Sequence, residues 1–461
     1  MDRSELFAYV KSESINNLVC AGSIKSREDI ELMKEQGYSI AFTAEELQDT
    51  FPKLNSNLIY YNNGIHQTFY FDKENLILFP LELYGEKTLK PYSEFEDEVV
   101  GRAEQLMVDV GNCNYFSSLL VLGDRMRMEM LNLMIEQDRC DNLYELFTNF
   151  YQTSDYGCSV ITDNSMRKLM SMKSPKEVEH TKALLKTFPN KVTVYRGEGD
   201  RSSSWKDSMS WTTDINVANF FASRMTSKNA VIHIAEVDKK DIAEYFEYEN
   251  ECIILPENIR YLQSIELKGT DFIEDMLPKV SEKYQFYRDM ALDLMDFEID
   301  DNEHGRLHTF RVLMNVLMIS EMKDLPESDR NILATAAIFH DTMRTDNGDD
   351  TKHGEASAEY YAEFAEYNPE YEEYCETVYQ LIKYHCLPDE EGYEAIPKEE
   401  QHLFDIFKDA DALDRVRFGI KDLDINQLRT DEAKSLTMVS NIMLQAIRIP
   451  EPELEQGMEM T

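Results

Sequence analysis

The chain has 461 residues, 43% hydrophobic and 29% charged; at about 100–200 residues per domain this is a globular chain of two or three domains, neither disordered nor fibrous. Asp and Glu number 88 against 47 Lys and Arg, a formal net charge of −41, which repels phosphate backbones and anionic lipid and argues against nucleic-acid or membrane binding. Seven cysteines without a CxxC pair fit a reduced protein better than a disulfide framework or a cysteine zinc site.

The polar start Met1-Asp2-Arg3-Ser4-Glu5 offers no apolar signal region. The charge-free run Gly111–Gly123 is shorter than the roughly 20 apolar residues a membrane span needs. A cytoplasmic location is expected, in the producing cell or a host. Residues 1–90 alternate short apolar runs (Asn57–Tyr61, Asn75–Leu83) with polar turns and read as a small α/β region without a usable motif. From about Glu94 to Gln152 the apolar residues fall at helical spacing: Leu106, Val110, Leu119, Leu120, Leu122, Met130, Leu131, Met134 and Ile135. Ser174-Pro175 with Glu177 starts another helix, which stops before Pro189. At Val192 the period changes to two, so Val192 to Tyr195 reads as a strand, and short strands with one helix follow to about Leu267. From Ser281 to Phe418 the chain is helical and acidic, with Glu355, Glu359, Glu363 and Glu366 spaced as a solvated helix face. A loose acidic tail is expected after Asn426. The expected domains are 1–90, 91–270, 281–425 and a tail at 426–461, with a boundary near Lys268–Lys283.

Three segments in the middle region carry chemistry. The strand Val192-Thr193-Val194-Tyr195-Arg196-Gly197 ends its apolar face on Arg196, a costly placement unless the guanidinium meets an anion. Ser208-Met209-Ser210-Trp211-Thr212-Thr213-Asp214 leads into a helix that Thr213 or Asp214 can cap. Glu249-Asn250-Glu251 precedes the apolar run Cys252-Ile253-Ile254-Leu255; on a strand, both carboxylates would face one way. Arginine suits bidentate phosphate contact. A carboxylate can steady an oxocarbenium-like ribose while a second activates a nucleophile.

In order and context these segments resemble the R-S-E class of mono-ADP-ribosyltransferases, over residues 175–267 with the preceding helices as a helical lobe. The resemblance implies a split β-sheet, with NAD as substrate and a macromolecular acceptor, a protein in that class. It implies that Arg196 and Gly197 contact NAD, that Ser210 shapes the nicotinamide pocket (with Thr212 the alternate hydroxyl), that Glu251 is the catalytic glutamate, and that Glu249 activates the nucleophile.

The acidic half holds a second constellation: His304-Gly305-Arg306-Leu307-His308, His340-Asp341, His353-Gly354, His385, and Asp409-Ala410-Asp411. Imidazoles and carboxylates brought from separate helices suit a divalent cation: Mn, Mg, Fe, Co or Zn. Over about 290–420 the pattern resembles the HD-domain metal-dependent phosphohydrolases. That resemblance implies an all-α domain in which His308, His340, Asp341 and Asp411 hold metal, Asp409 being the alternative to Asp411. His353 and His385 then serve a substrate phosphoester or nucleotide, proton transfer (His353 as a catalytic group), or a second metal, and His304 lines the pocket.

Together the expectation is an α+β multidomain, bifunctional enzyme, NAD-dependent ADP-ribosyl transfer beside phosphoester hydrolysis, with a coupled sequence of the two as one form of it. The alternative is a toxin-like transferase restrained by a nucleotide-sensing HD domain, in phage defence or as an effector.

Overall fold

The computed structural model describes residues 112–121, 124–138, 140–154, 158–200, 202–224, 230–294, 305–345, 350–419 and 422–446, with short segments at 18–20, 55–62, 67–72 and 77–81 and a few single residues. Leu106, Val110, Leu122 and His304 lie outside the described residues. The chain divides into two compact units, 1–184 and 185–461. No helix among the described residues is long and apolar enough to cross a membrane.

In the first unit, β1 (Leu18–Cys20), β2 (Ile59–Asn62), β3 (Gln67–Asp72) and β4 (Ile77–Leu81) form an antiparallel meander in sequence order. Helices α1 (Tyr115–Val121), α2 (Asp124–Glu136), α3 (Leu143–Tyr151), α4 (Asp163–Ser171) and α5 (Pro175–Leu184) follow. Leu119, Met130, Leu131, Met134 and Ile135 are buried, as their spacing predicts, whereas Leu120 is exposed. Ser174 and Glu177 cap α5 reciprocally: the Ser174 N–H donates to Glu177 Oε2 (2.6 Å) and the Glu177 N–H to Ser174 Oγ (3.3 Å).

The second unit opens on an antiparallel sheet of β5 (Lys191–Gly199), β6 (Ser210–Thr212), β7 (Ala230–Asp238), β8 (Ile242–Phe246), β9 (Glu251–Ile254) and β10 (Arg260–Leu267), in the order β10-β7-β5-β6-β9-β8. Its two three-stranded halves meet at one register pair, Tyr195 with Thr212. Helix α6 (Ile215–Ser223) is capped by Asp214, whose carboxylate accepts from the Asn216 N–H. It lies so close on β5 that a Cβ on Gly197 would stand 2.0 Å from Ala218 O.

Helices α7 (Thr270–Leu294), α8 (Arg306–Met322), α9 (Glu327–Phe339), α10 (His353–Tyr367), α11 (Cys375–Tyr384), α12 (Asp389–Ala395) and α13 (Gln401–Leu413) build the remainder. Helix α8 is buried on every side from His308 to Ser320. The four glutamates of α10 are exposed, as a solvated face requires.

The boundary region expected near Lys268–Lys283 contains the start of α7 (Thr270–Leu294), whose Met276, Val280 and Tyr287 are in the core. One expectation is corrected here. The expected loose tail instead folds to residue 446 as α14 (Asp431–Ser435) and α15 (Thr437–Ala446), because Leu436, Val439 and Met443 recur at helical spacing and are buried.

Candidate functional site

Helix ends converge on a buried cluster in the second unit. His308 stands in the first turn of α8, His340 caps the C-terminus of α9, His353 opens α10 and His385 caps α11. Three of these rings are set by one local device. The Nδ1 atoms of His340, His353 and His385 lie 2.8, 2.5 and 2.7 Å from the carbonyls of Ala337, Asp350 and Ile382, each three residues back. His308 Nδ1 lies 2.7 Å from Asp414 Oδ2. A proton on each Nδ1 leaves each Nε2 with a lone pair.

Those lone pairs meet. His308 Nε2 and His340 Nε2 are 3.1 Å apart, and His353 Nε2 and His385 Nε2 are 3.0 Å apart. Asp341 stands between the pairs: Oδ2 is 3.5 Å from His308 Nε2 and 3.8 Å from His340 Nε2, and Oδ1 is 3.1 Å from His353 Nε2 and 3.6 Å from His385 Nε2. Asp411 Oδ1 adds a contact of 3.3 Å to His308 Nε2. Two ligand nitrogens about 2.0–2.1 Å from one ion stand roughly 2.9–3.4 Å apart at tetrahedral or octahedral angles, so both imidazole pairs fit a metal. Without a cation or a shared proton, the same lone pairs repel.

The electrostatics agree. Burial pushes His340 down to about 3 against the pull of Asp341. Burial and Arg417 oppose a charge on His308, but hydrogen bonds with Asp411 and Asp414 outweigh them and raise its proton affinity. Burial likewise opposes ionisation of Asp411 and Asp414, yet His308 holds both carboxyls below the usual range, helped at Asp414 by Arg311. Arg311 Nε donates to Asp414 Oδ1 (2.5 Å) and Nη2 to Oδ2 (3.0 Å).

His308, His340, Asp341 and Asp411 are thus brought together, with His353 and His385 against the opposite oxygen of Asp341. Asp409 is not part of this set. It is buried and accepts from the Arg429 and Thr430 N–H groups and from Thr430 Oγ1, so it ties down the chain that follows. Sequence reasoning missed Asp414 and Arg311, although each is three residues from a flagged residue (Asp411, His308) and so on the same helical face. It also missed Arg344, whose Nη1 lies 3.5 Å from both His353 ring nitrogens.

The middle region holds a second polar cluster. Ser210 Oγ donates to Glu251 Oε1 at 2.5 Å, and Arg196 Nη1 donates to Ser210 O at 2.9 Å. Thr212 Oγ1 instead donates to the Glu249 carbonyl (2.8 Å) and accepts from the Asp214 N–H (3.1 Å), a turn-closing role. Gly197 is buried under α6.

The expected strand pair of glutamates is corrected. Glu249 ends a 3₁₀ turn (Glu247–Glu249), Asn250 is left-handed at φ 50°, and only Glu251 belongs to β9. The Tyr245 hydroxyl, donating to Asn250 Oδ1 (2.9 Å), and the Thr213 N–H, donating to Asn250 O (3.0 Å), hold that kink. Beside Arg196, its register partner His233 lies 3.1 Å from Glu198, and Trp205 stacks on Tyr261 at 4.6 Å. Glu198 shares β5 with Arg196, Trp205 opens a 3₁₀ turn, and His233 and Tyr261 come from β7 and β10; none of them carries a motif.

No curated protein matches the chain, and no solved structure matches it. Residues 307–416 match the family model described as the HD domain, so the helical C-terminal region around the histidine–aspartate cluster is an HD domain, which implies divalent-metal binding and phosphohydrolase chemistry on a phosphoester or nucleotide.

Proposed function

We propose that the chain hydrolyses a phosphoester, most simply a nucleotide, with His308, His340, Asp341 and Asp411 holding one divalent ion and His353, His385 and the far oxygen of Asp341 offering a second place. The observation that carries this reading is Asp341, whose two oxygens face two imidazole pairs. When bound, a divalent metal lowers the pKa of a water towards about 7 and offsets phosphoryl charge. The protein's part is to fix the ligands. Arg311 and Asp414 orient His308, and the burial of His340 keeps its ring neutral and able to ligate. Arg344, beside His353, is placed to take a phosphate oxygen.

Metal-stripped protein, resupplied with Mn, Mg, Fe, Co or Zn, should cleave at least one member of a phosphoester and nucleotide panel. His340→Ala and Asp341→Asn should lower the rate by about 10³-fold or more, the scale on which a metal contributes several kcal/mol. Activity that survives both substitutions and a chelator would sink the proposal.

A second activity is favoured by the Ser210–Glu251 bond, with Arg196 on the neighbouring strand donating to the Ser210 carbonyl. In this reading the middle region splits NAD and transfers ADP-ribose to a macromolecular acceptor. Glu251, steered by Ser210, stabilises the ribose cation. Arg196 contacts the NAD phosphates, and Glu249, from its turn, assists the acceptor. Adenylate-labelled NAD incubated with lysate should label a macromolecule, and Glu251→Gln should abolish the label. If the two activities act in sequence, His340→Ala should make the labelled product accumulate; equal label in wild type and His340→Ala would separate them.

A further inference from the structure

We infer that Cys386 is a ligand of the second metal place, which makes it a thiolate-bearing site that selects a soft or borderline ion such as Zn, Co or Fe over Mg; the inference rests on the metal-dependent reading above. His353 and His385 are the two imidazoles of that place, both buried with side chains 1% and 3% exposed, and their Nε2 atoms face each other at 3.0 Å. A pair of buried acceptors at that separation calls for a cation or a shared proton, and a metal ion supplies the former. Cys386 follows His385 directly, and one ligand atom each from His353, His385 and Cys386 lie within 4.8 Å of one another. An ion bonded at about 2.3 Å to sulfur and about 2.0 Å to nitrogen holds the two roughly 3.5 Å apart at a tetrahedral angle, so binding would draw the Cys386 side chain in towards the two rings.

The local backbone is built to admit the sulfur. Cys386 Sγ rests 3.6 Å from the Thr351 carbonyl, over the start of α10, where residue 354 is glycine. A Cβ on Gly354 would stand 2.8 Å from Cys386 Sγ and 2.7 Å from the Lys383 carbonyl. Gly354 therefore lets the end of α11 close on the start of α10, which is also what brings His353 and His385 together. With Asp341 Oδ1 3.1 Å from His353 Nε2, the donors are two nitrogens, one carboxylate oxygen and one sulfur. That set is softer than the His/Asp set of the first place, and thiolate favours Zn, Co and Fe where carboxylate alone would admit Mg or Mn.

Cobalt(II) titration of the full metal-free chain tests this, because thiolate ligation produces a sulfur-to-cobalt charge-transfer absorption that imidazole and carboxylate do not. Wild type should bind two cobalt ions and show the band. His340→Ala, which damages the first place, should keep the band. Cys386→Ser and Cys386→Ala should lose it and weaken one of the two ions by at least about tenfold, the lower end of what an orienting partner alone contributes; far-ultraviolet circular dichroism verifies that both fold. Two bound ions without the band, or a band unchanged in Cys386→Ser, would overturn the role of Cys386 and leave the two-ion site standing. One bound ion without the band would overturn the second place altogether. No bound metal would defeat the metal-dependent reading itself.

Discussion

His340 shows how a single side chain couples the site to the stability of the domain. Burial holds its imidazole neutral down to about 3, whereas an unfolded histidine titrates near 6.5. Between those values the unfolded chain binds a proton that the native chain does not. Stability therefore falls as pH drops from about 6.5 towards 3, by up to about 1.4 kcal/mol per pH unit from this residue. His308 has the opposite sign: its raised proton affinity contributes stability that is present below about 6.5 and lost as pH rises through its folded value. Urea midpoints of the metal-free protein should accordingly be highest near pH 6.5, and His340→Asn should flatten the limb between about pH 4.5 and 6.5. An acid limb of the same slope in the variant would show that other groups carry it. Added metal must displace the proton on His308, so affinity should also rise with pH. The cluster was legible from sequence as far as its spacing reached. His308 and the His340-Asp341 pair sit at helix ends marked by apolar runs. The position of Asp414, one turn from Asp411, was legible, but its role was not, because that comes from Arg311 and His308, over a hundred positions away in the chain.

At the scale of elements, small residues set how closely a helix can approach its neighbour. Helix α6 rests on β5 at Gly197, where a Cβ would lie 2.0 Å from Ala218 O and 2.5 Å from Ala222 N. Backbone atoms cannot swing aside as a side chain would, so Gly197→Ala must push α6 off the sheet. A loss of about 1–3 kcal/mol or more is expected, read as a lower urea midpoint; an unchanged midpoint would mean that α6 is less tightly seated than described. The strand from Val192 and the cap at Asp214 could be read from local period and capping chemistry. The contact at Gly197 could not, since it depends on residues 21 and 25 positions later that only the tertiary fold brings near. The turn at Glu249 was hidden for a different reason: period two describes a strand only while φ stays negative, and Asn250 leaves that region at φ 50°.

Across the second unit, the chain leaving the histidine–aspartate cluster is the same chain that packs on the sheet. Asp409 secures Arg429 and Thr430. Asn216, at the start of α6, donates to Asp424 Oδ1 (3.0 Å) and accepts from the Ile425 N–H (2.8 Å), and the Thr437 hydroxyl donates to Asn219 Oδ1 (2.8 Å). The Lys268 N–H donates to the Ser435 carbonyl at 2.7 Å, and Ile215, Ala218, Ile232, Leu267, Ile425 and Met438 share one apolar cluster. Residues 414–419 and 422–438 thus reach both packing systems, which makes them one physical route for an influence of the histidine–aspartate cluster on Ser210 and Glu251, beside the direct passage from β10 into α7. A ligand that binds only the native cluster stabilises whatever unfolds with it. Metal should therefore slow amide exchange in 409–438 and also in α6, although α6 offers no ligand. In an Asn216→Ala, Asn219→Ala double variant, metal should still protect 409–430 while its effect on α6 largely disappears, because the side chains that fasten α6 to Asp424, Ile425 and Thr437 are gone. Protection of α6 that persists undiminished in the double variant would mean that the apolar cluster alone transmits it; protection absent from α6 even in wild type would mean that the sheet and the helices open independently.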